Sequence, residues 1–384
     1  MWFAGPVYSR VRPVTWEDPA VRTIVLSDLH LAAGFDGDLL RRPRFREILL
    51  RELESADEVV LLGDAIELRD RPLGEVLEIA RPFFAELGDA MADRRVVIVP
   101  GNHDHQLVGP WLERRRLEGH TTIGLEQRGT PNLGIAARIA ELLGSAELEL
   151  AYPGVWIRPN LYATHGHYLD CHVTVPTFER LAIAAIERFS GALPEGLRST
   201  NDYESIQAPL YGLLYGVAQS GRRPRRALGE NASARVWEAV HGRDGRRPDL
   251  RGRLLGSVVL PGAVALANRI GLGPLRWDIS FPEISRAGYS AMLELVARLG
   301  IEADHVLFGH THRRGPLDDE PGWALPSGTK LINTGSWVFA PGLAGRSAHG
   351  SPFWPGTVIE FEDDEAPRPR HLLDGVGRNE LARG

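Results

Sequence analysis

Five short segments of the chain carry side chains that could work together on a phosphate-like group. Asp28 and His30 stand two apart, and Asp64 follows a glycine. Asn102, His103 and Asp104 are consecutive; His165 and His167 flank a glycine; His310 and His312 flank a threonine. Oxygen donors mixed with imidazole nitrogens suit Mn, Fe, Zn or Ni better than calcium, which prefers an all-oxygen shell. On an extended segment Asp28 and His30 point to the same side and can clasp one ion. Asp64 has two carboxylate oxygens, a natural bridge between two ions. His310 and His312 repeat the same-side spacing and can give one imidazole to each. Two ions about 3.5–4 Å apart can hold a hydroxide ready at neutral pH and clamp a phosphoryl group for in-line attack. His103 then suits a proton donor to the leaving oxygen, or a cation for the transition-state charge. Asp104 and His105 support the site through hydrogen bonds.

Each fragment alone has a plainer explanation. Asp-x-His occurs in solvated loops, Gly-Asp is a common turn, and Asn-His-Asp can cap a helix. What outweighs these explanations is the joint arrangement: complementary donors, in order, each just past an expected strand.

Those strands are short apolar runs. Thr23–Ser27 leads into Asp28, Glu58–Leu62 into Asp64, and Arg95–Pro100 into Asn102. Asn160–Thr164 runs into His165, and Asp304–Phe308 into His310. Lys330–Trp337 and Thr357–Phe361 read as closing strands of the same domain. Short Val/Ile/Leu runs closed by glycine or a polar residue are the pattern of buried strands. Helical patterns at Arg44–Ser55 and Gly74–Met91 alternate with the first three, which points to an α/β sheet with right-handed crossovers. Ligands bind at the carboxyl ends of such strands, so distant segments can share one crevice. Cys171 to Gly300 departs from this plan. Val175–Phe189, Tyr203–Gln219, Leu254–Ile270 and Ile284–Leu299 read as helices, with arginine-rich stretches at Arg222–Arg226 and Arg243–Arg253 between them. The expected division is a discontinuous core (20–170 and 301–365), a helical cap (171–300) and a peripheral tail (366–384).

The chain has 384 residues, 43% hydrophobic and 24% charged, which is ordinary for a globular protein. A net charge of -6 argues against a dedicated nucleic-acid binder. Lys330 is the only lysine, a usage that reflects genome composition before function. Cys171 is the single cysteine, so no intramolecular disulfide forms. No apolar run follows a basic start between Met1 and Pro13, and Leu254–Ala267 falls short of the roughly 20 residues of a membrane span. A cytoplasmic location is the expectation. The apolar cap helices beside arginine clusters can pack on each other and on the core, line a pocket for an acyl chain, or dock peripherally at the inner face of the membrane.

Taken together, Asp28-Leu-His30, Gly63-Asp64, Gly101-Asn-His-Asp104, His165-Gly-His167 and Gly309-His-Thr-His312 resemble the five blocks of the calcineurin-like metallophosphoesterases. The resemblance covers about residues 21 to 170 and 300 to 362. It implies a four-layer αββα sandwich of two mixed β-sheets. It implies one metal held by Asp28, His30, Asp64 and His312, and a second by Asp64, Asn102, His165 and His310, with His103 near the phosphate. Two divalent transition metals, manganese first among them, are the implied cofactors. Where many members have an aspartate that orients the third-block histidine, this chain has Glu67, one methylene longer. The plan is also similar to UDP-diacylglucosamine hydrolases, although these typically have arginine where this chain has His103.

The expected activity is hydrolysis of a phosphoester or pyrophosphate bond on a small or lipid-linked substrate, with His103, Glu67 and Asp104 as the catalytic group. Arg69 and Arg71, just after the second block, are candidates to grip the phosphate. Two rival readings are a nuclease of the same superfamily, which would want a basic groove, and a metal-free scaffold, which would lack ligands.

Overall fold

A computed structural model describes residues 21–34, 37–190, 196, 198–221, 250 and 254–383 of the chain. The arginine-rich stretches Arg222–Arg226 and Arg243–Arg253 lie almost wholly outside the described residues, as do His241 and the segment Met1–Pro13.

The strands are β1 Arg22–Leu26, β2 Glu58–Leu61, β3 Arg95–Ile98, β4 Glu126–Gly129, β5 Glu147–Arg158, β6 Leu161–Thr164, β7 His305–Phe308, β8 Arg314–Gly315, β9 Lys330–Thr334, β10 Thr357–Glu362 and β11 Arg368–His371. The helices are α1 Pro43–Leu53, α2 Leu73–Ala90, α3 Gly109–Leu117, α4 Gly134–Leu143, α5 Phe178–Ser190, α6 Thr200–Gln219, α7 Leu260–Arg269, α8 Phe281–Leu299 and α9 Arg378–Ala382. A π-helical turn, Leu255–Val259, leads into α7.

Hydrogen bonds join the strands in the order β11-β10-β1-β2-β3-β5-β6-β7-β9-β8, with β4 on β5. β1, β2, β3 and β5 run parallel, and so do β6, β7 and β9; β5 and β6 are antiparallel. The two expected sheets are therefore the two halves of one curled sheet, joined through the 12-residue β5.

Side-chain alternation turns this sheet into four layers. Ile24, Leu26, Val59, Leu61, Val96 and Ile98 face one helical layer, packing with Phe45, Phe83, Phe84 and Ile139. The intervening Val25, Val60, Leu62, Val97 and Val99 meet Leu161, Ala163, Leu307 and Ile359 between the halves. Tyr162, Val306, Phe308 and Leu331 face the other helices, packing with Ile183, Leu210 and Leu295. β5 serves all three layers: Leu150 and Tyr152 go to the first, Ala151 and Val155 to the middle, and Trp156 to the last. Strands buried on both faces read as unbroken apolar runs, which is why the sequence reveals them so clearly.

The elements described within residues 171–300 are helices joined by non-helical stretches, and α5, α6 and α8 supply the fourth layer on the second half of the sheet. The segment 366–384, expected to be peripheral, is tied to the core. β11 pairs with β10, and Leu373 and Leu381 are buried. Two apolar side chains spaced along a polar tail suffice to fasten it.

Candidate metal centre

The five blocks sit where β1, β2, β3, β6 and β7 end. Each chain leaves its strand abruptly. Asp28, His30, Asp64, His310 and His312 all have positive φ, between 44° and 65°. Non-glycine residues rarely adopt this left-handed conformation, and where they do the strain tends to sit at functional sites. The Asp28/His30 and His310/His312 pairs thus owe their convergence to left-handed turns, not to the extended alternation expected from the sequence. Backbone bonds hold the turns: Asp28 N–H donates to Gly63 O at 3.0 Å, and His30 N–H to Asp64 O at 2.8 Å.

All seven expected metal-binding side chains come together. His312 Nε2 is 3.3 Å from Asp28 Oδ1 and 3.0 Å from His30 Nε2. Asp64 Oδ2 lies 3.6 Å from His30 Nε2 and 3.1 Å from His165 Nε2. Asn102 Oδ1 lies 3.2 Å from His165 Nε2 and 3.1 Å from His310 Nδ1. Three overlapping groups result, Asp28–His30–His312, His30–Asp64–His103 and Asp64–His165–His310, with Asp64 in two of them. Two donors each about 2.1 Å from one ion stand roughly 3.0–3.4 Å apart, so the spacing fits metal ions held among these groups.

Asn102 sits between the imidazoles and Arg69. Its oxygen faces the imidazoles and sits 3.2 Å from Asp64 Oδ2, while its NH2 faces the terminal nitrogens of Arg69 at 3.1 and 3.2 Å. Hydrogen bonding alone favours the reverse. In either rotation an amide atom of Asn102 lies within 3.2 Å of His165 Nε2, His310 Nδ1 and Asp64 Oδ2, which places it among the candidate ligands.

Electrostatics agree. Burial would raise the Asp64 carboxyl, but His165 and His103 hold it well below the usual range. Burial would likewise lower His165, and Asp64 overrides it to about 9. The buried carboxylates draw positive charge into the site.

Supporting side chains fix the donors. His165 Nδ1 bonds Leu62 O at 3.0 Å. His310 Nε2 bonds Asp170 Oδ1 at 2.9 Å. Glu67 Oε2 reaches His103 Nδ1 at 2.6 Å and His30 Nδ1 at 3.2 Å, so one carboxylate orients two imidazoles. Burial would raise that carboxyl too, yet His103 and His30 keep it low. The Asp104 carboxylate supports the cluster through backbone groups. It accepts from Gly101 N at 2.7 Å, Ala65 N at 2.8 Å and Asp64 N at 3.3 Å, pinning the second block to the third. His167 stays outside the cluster, buried beside Tyr152, Tyr168 and Tyr211.

The two arginines part company. Arg69 is buried beside the site, with NH2 donating to Asn102 O at 2.6 Å and NH1 3.4 Å from His103 Nε2. Its guanidinium lies over the Tyr211 ring at 5.1 Å. Arg71 instead binds Ala32 O, Ala33 O and Glu75.

Some neighbours were not foreseen. Asp170 lies five residues after His165, and that spacing was the signal available. Glu204 on α6 bonds His105 Nε2 at 2.7 Å, Tyr152 Oη at 2.5 Å and Tyr168 Oη at 3.0 Å. Nothing local to Glu204 announces that partnership.

Comparison with known proteins adds the following. No curated protein matches the chain. A cold-active protein-tyrosine phosphatase of a psychrophile, Shewanella sp., is 14% identical, covering 93% of this chain and 80% of that one at a TM-score of 0.31. A dimetal phosphatase from Danio rerio is 13% identical, covering 92% of this chain and all (100%) of that one, also at 0.31. Residues 21–190 match the family model described as calcineurin-like phosphoesterase.

Proposed function

We propose that this protein hydrolyses a phosphoester or pyrophosphate bond with two divalent transition metal ions. Asp28, His30, Asp64 and His312 hold one, and Asp64, Asn102, His165 and His310 hold the other. The match of residues 21–190 to the calcineurin-like phosphoesterase model supports metal-dependent phosphoester hydrolysis. The observation that carries the finer reading is the meeting of donors from five distant segments in overlapping groups, two of which share Asp64. A metal-free scaffold would have no reason to keep all seven.

Two bound ions supply the Lewis acidity that makes water a nucleophile at neutral pH and offsets phosphoryl charge. The chain's own residues do the rest. Glu67 fixes the His103 ring through Nδ1; handing a proton from Nε2 to the leaving oxygen requires the imidazolium, which burial and Arg69 disfavour and Glu67 and Asp64 favour. Arg69, the Asn102 NH2 and His103 Nε2 converge from three sides. A phosphoryl oxygen entering between Arg69 and His103 would meet a guanidinium and an imidazole placed to donate to it. Manganese suits this set of oxygen and imidazole donors. The substrate class is a small or lipid-linked phosphate compound.

The test is a screen of p-nitrophenyl esters, cyclic nucleotides and nucleotide-sugar pyrophosphates with added Mn, beside chelator-treated protein and Asp64→Asn. Turnover by wild type that Asp64→Asn all but abolishes is expected. Equal rates for the two proteins would refute the bridging assignment.

A further inference from the structure

α7 and the turn before it make an unusual surface. From Leu254 to Asn268 the sequence contains no charged residue. A helix this apolar is ordinarily buried, yet of its side chains only Val264 is fully buried, while Leu260 packs partly on the outer core. Leu254, Val258, Leu266 and Ile270 are more than half exposed, at 56%, 59%, 60% and 53%. Exposed contiguous apolar area of this kind marks an interaction surface.

What surrounds it indicates the partner. Phe189, at the end of α5, is 90% exposed, and Trp277, past the end of α7, is 55% exposed. Each follows an arginine, as Ile270 does: Arg188–Phe189, Arg269–Ile270 and Arg276–Trp277. The ends of α5 and α7 are neighbours, since a Cβ on Gly271 would lie 3.9 Å from Arg188 Cδ. An apolar helix beside exposed aromatics and arginines has the chemistry of the water–lipid boundary, where rings enter the headgroup layer and arginines meet anionic phosphates. A second copy of the chain fits less well, because a twofold contact through this face would set the same arginines against each other. No helix among the described residues is long and apolar enough to cross a membrane.

We infer that α7, with Phe189, Trp277 and the three arginines, is a docking face for an anionic lipid surface. It lays the protein on the bilayer without crossing it. The inference stands apart from the hydrolase reading and is tested without substrate.

The experiment is co-sedimentation of the full chain with vesicles of phosphatidylcholine alone or with a third phosphatidylglycerol. Wild type is expected to pellet with the anionic vesicles and weakly with the neutral ones. Val258→Asp/Leu266→Asp should lower binding about tenfold or more while keeping the wild-type circular dichroism spectrum and melting temperature, which shows that it is folded. Arg188→Ala/Arg269→Ala/Arg276→Ala should erase the preference for anionic vesicles. Asp64→Asn should pellet like wild type. Wild type remaining in the supernatant with both vesicles overturns the inference. So does Asp-variant binding equal to wild type, or a dimer by light scattering that the Asp pair converts to monomer.

Discussion

At the scale of single residues, Glu67 is the least ordinary member of the site. Its carboxylate holds both His30 and His103, one a proposed metal ligand and the other the proposed proton donor. Glu67→Gln keeps the shape and removes the charge, so it strikes metal affinity and proton transfer together. A fall of about 10–100-fold in metal affinity is expected, in line with losses of residues that orient ligands, with kcat falling by at least as much. Glu67→Asp keeps the charge one methylene back and should retain activity to within roughly tenfold if the loop can follow. Equilibrium metal titration and saturation kinetics separate the two effects. Arg69 acts differently, on the bound phosphate. Arg69→Gln should raise KM or lower kcat by about 10–100-fold, the range for one charge-assisted contact of about 1.5–3 kcal/mol, with metal content unchanged. Loss of metal from that variant would place Arg69 among the supports of Asn102 instead.

At the scale of elements, the site depends on loops that pass one another at very close range. A Cβ on Gly309 would strike the Asp28 carboxylate and Ser27, and one on Gly101 would strike Asp64 and His165. Gly309 was legible in the sequence as the punctuation closing a strand, but its reason was not: room for an aspartate 281 positions away in the chain. Gly309→Ala should therefore displace Asp28 and reduce kcat/KM by about 100-fold or more, since misplacement by an ångström is enough to cost that much. Wild-type-like kinetics would show that the Asp28 loop yields freely. The same contrast runs through the elements. β1, β2, β3, β6 and β7 were legible because both faces are buried and the apolar run is unbroken. β5 was not, because Pro153 and Gly154 interrupt it and its side chains serve three layers in turn. The left-handed residues were invisible too, because aspartate and histidine give no hint of φ. Glu204, Gln207 and Tyr211 reach the site region from α6, where helical periodicity shows which residues face inward but not what they meet.

At the scale of the whole molecule, the centre clasps both halves of the curled sheet. Asp28, Asp64 and Asn102 come from one half, and His165, His310 and His312 from the other. Without cations the buried Asp28, Asp64 and Glu67 carboxylates share a confined space with partly protonated imidazoles, and burial drives Asp28 toward its neutral form against the pull of His165. Bound ions would tie the halves directly. A ligand that binds only the folded state adds about 2.7 kcal/mol at a concentration 100 times its Kd, and two sites would add more. At roughly 2–4 °C per kcal/mol for large domains, stripping the metals should lower Tm by about 5 °C or more. Mn should restore it in proportion to the logarithm of its concentration. Asp64→Asn, lacking the shared carboxylate, should melt near the stripped value and respond weakly to Mn. Scanning fluorimetry across a Mn series reads all three. If wild type melted at one temperature with chelator and with Mn, the ions would not be joining the halves of the sheet.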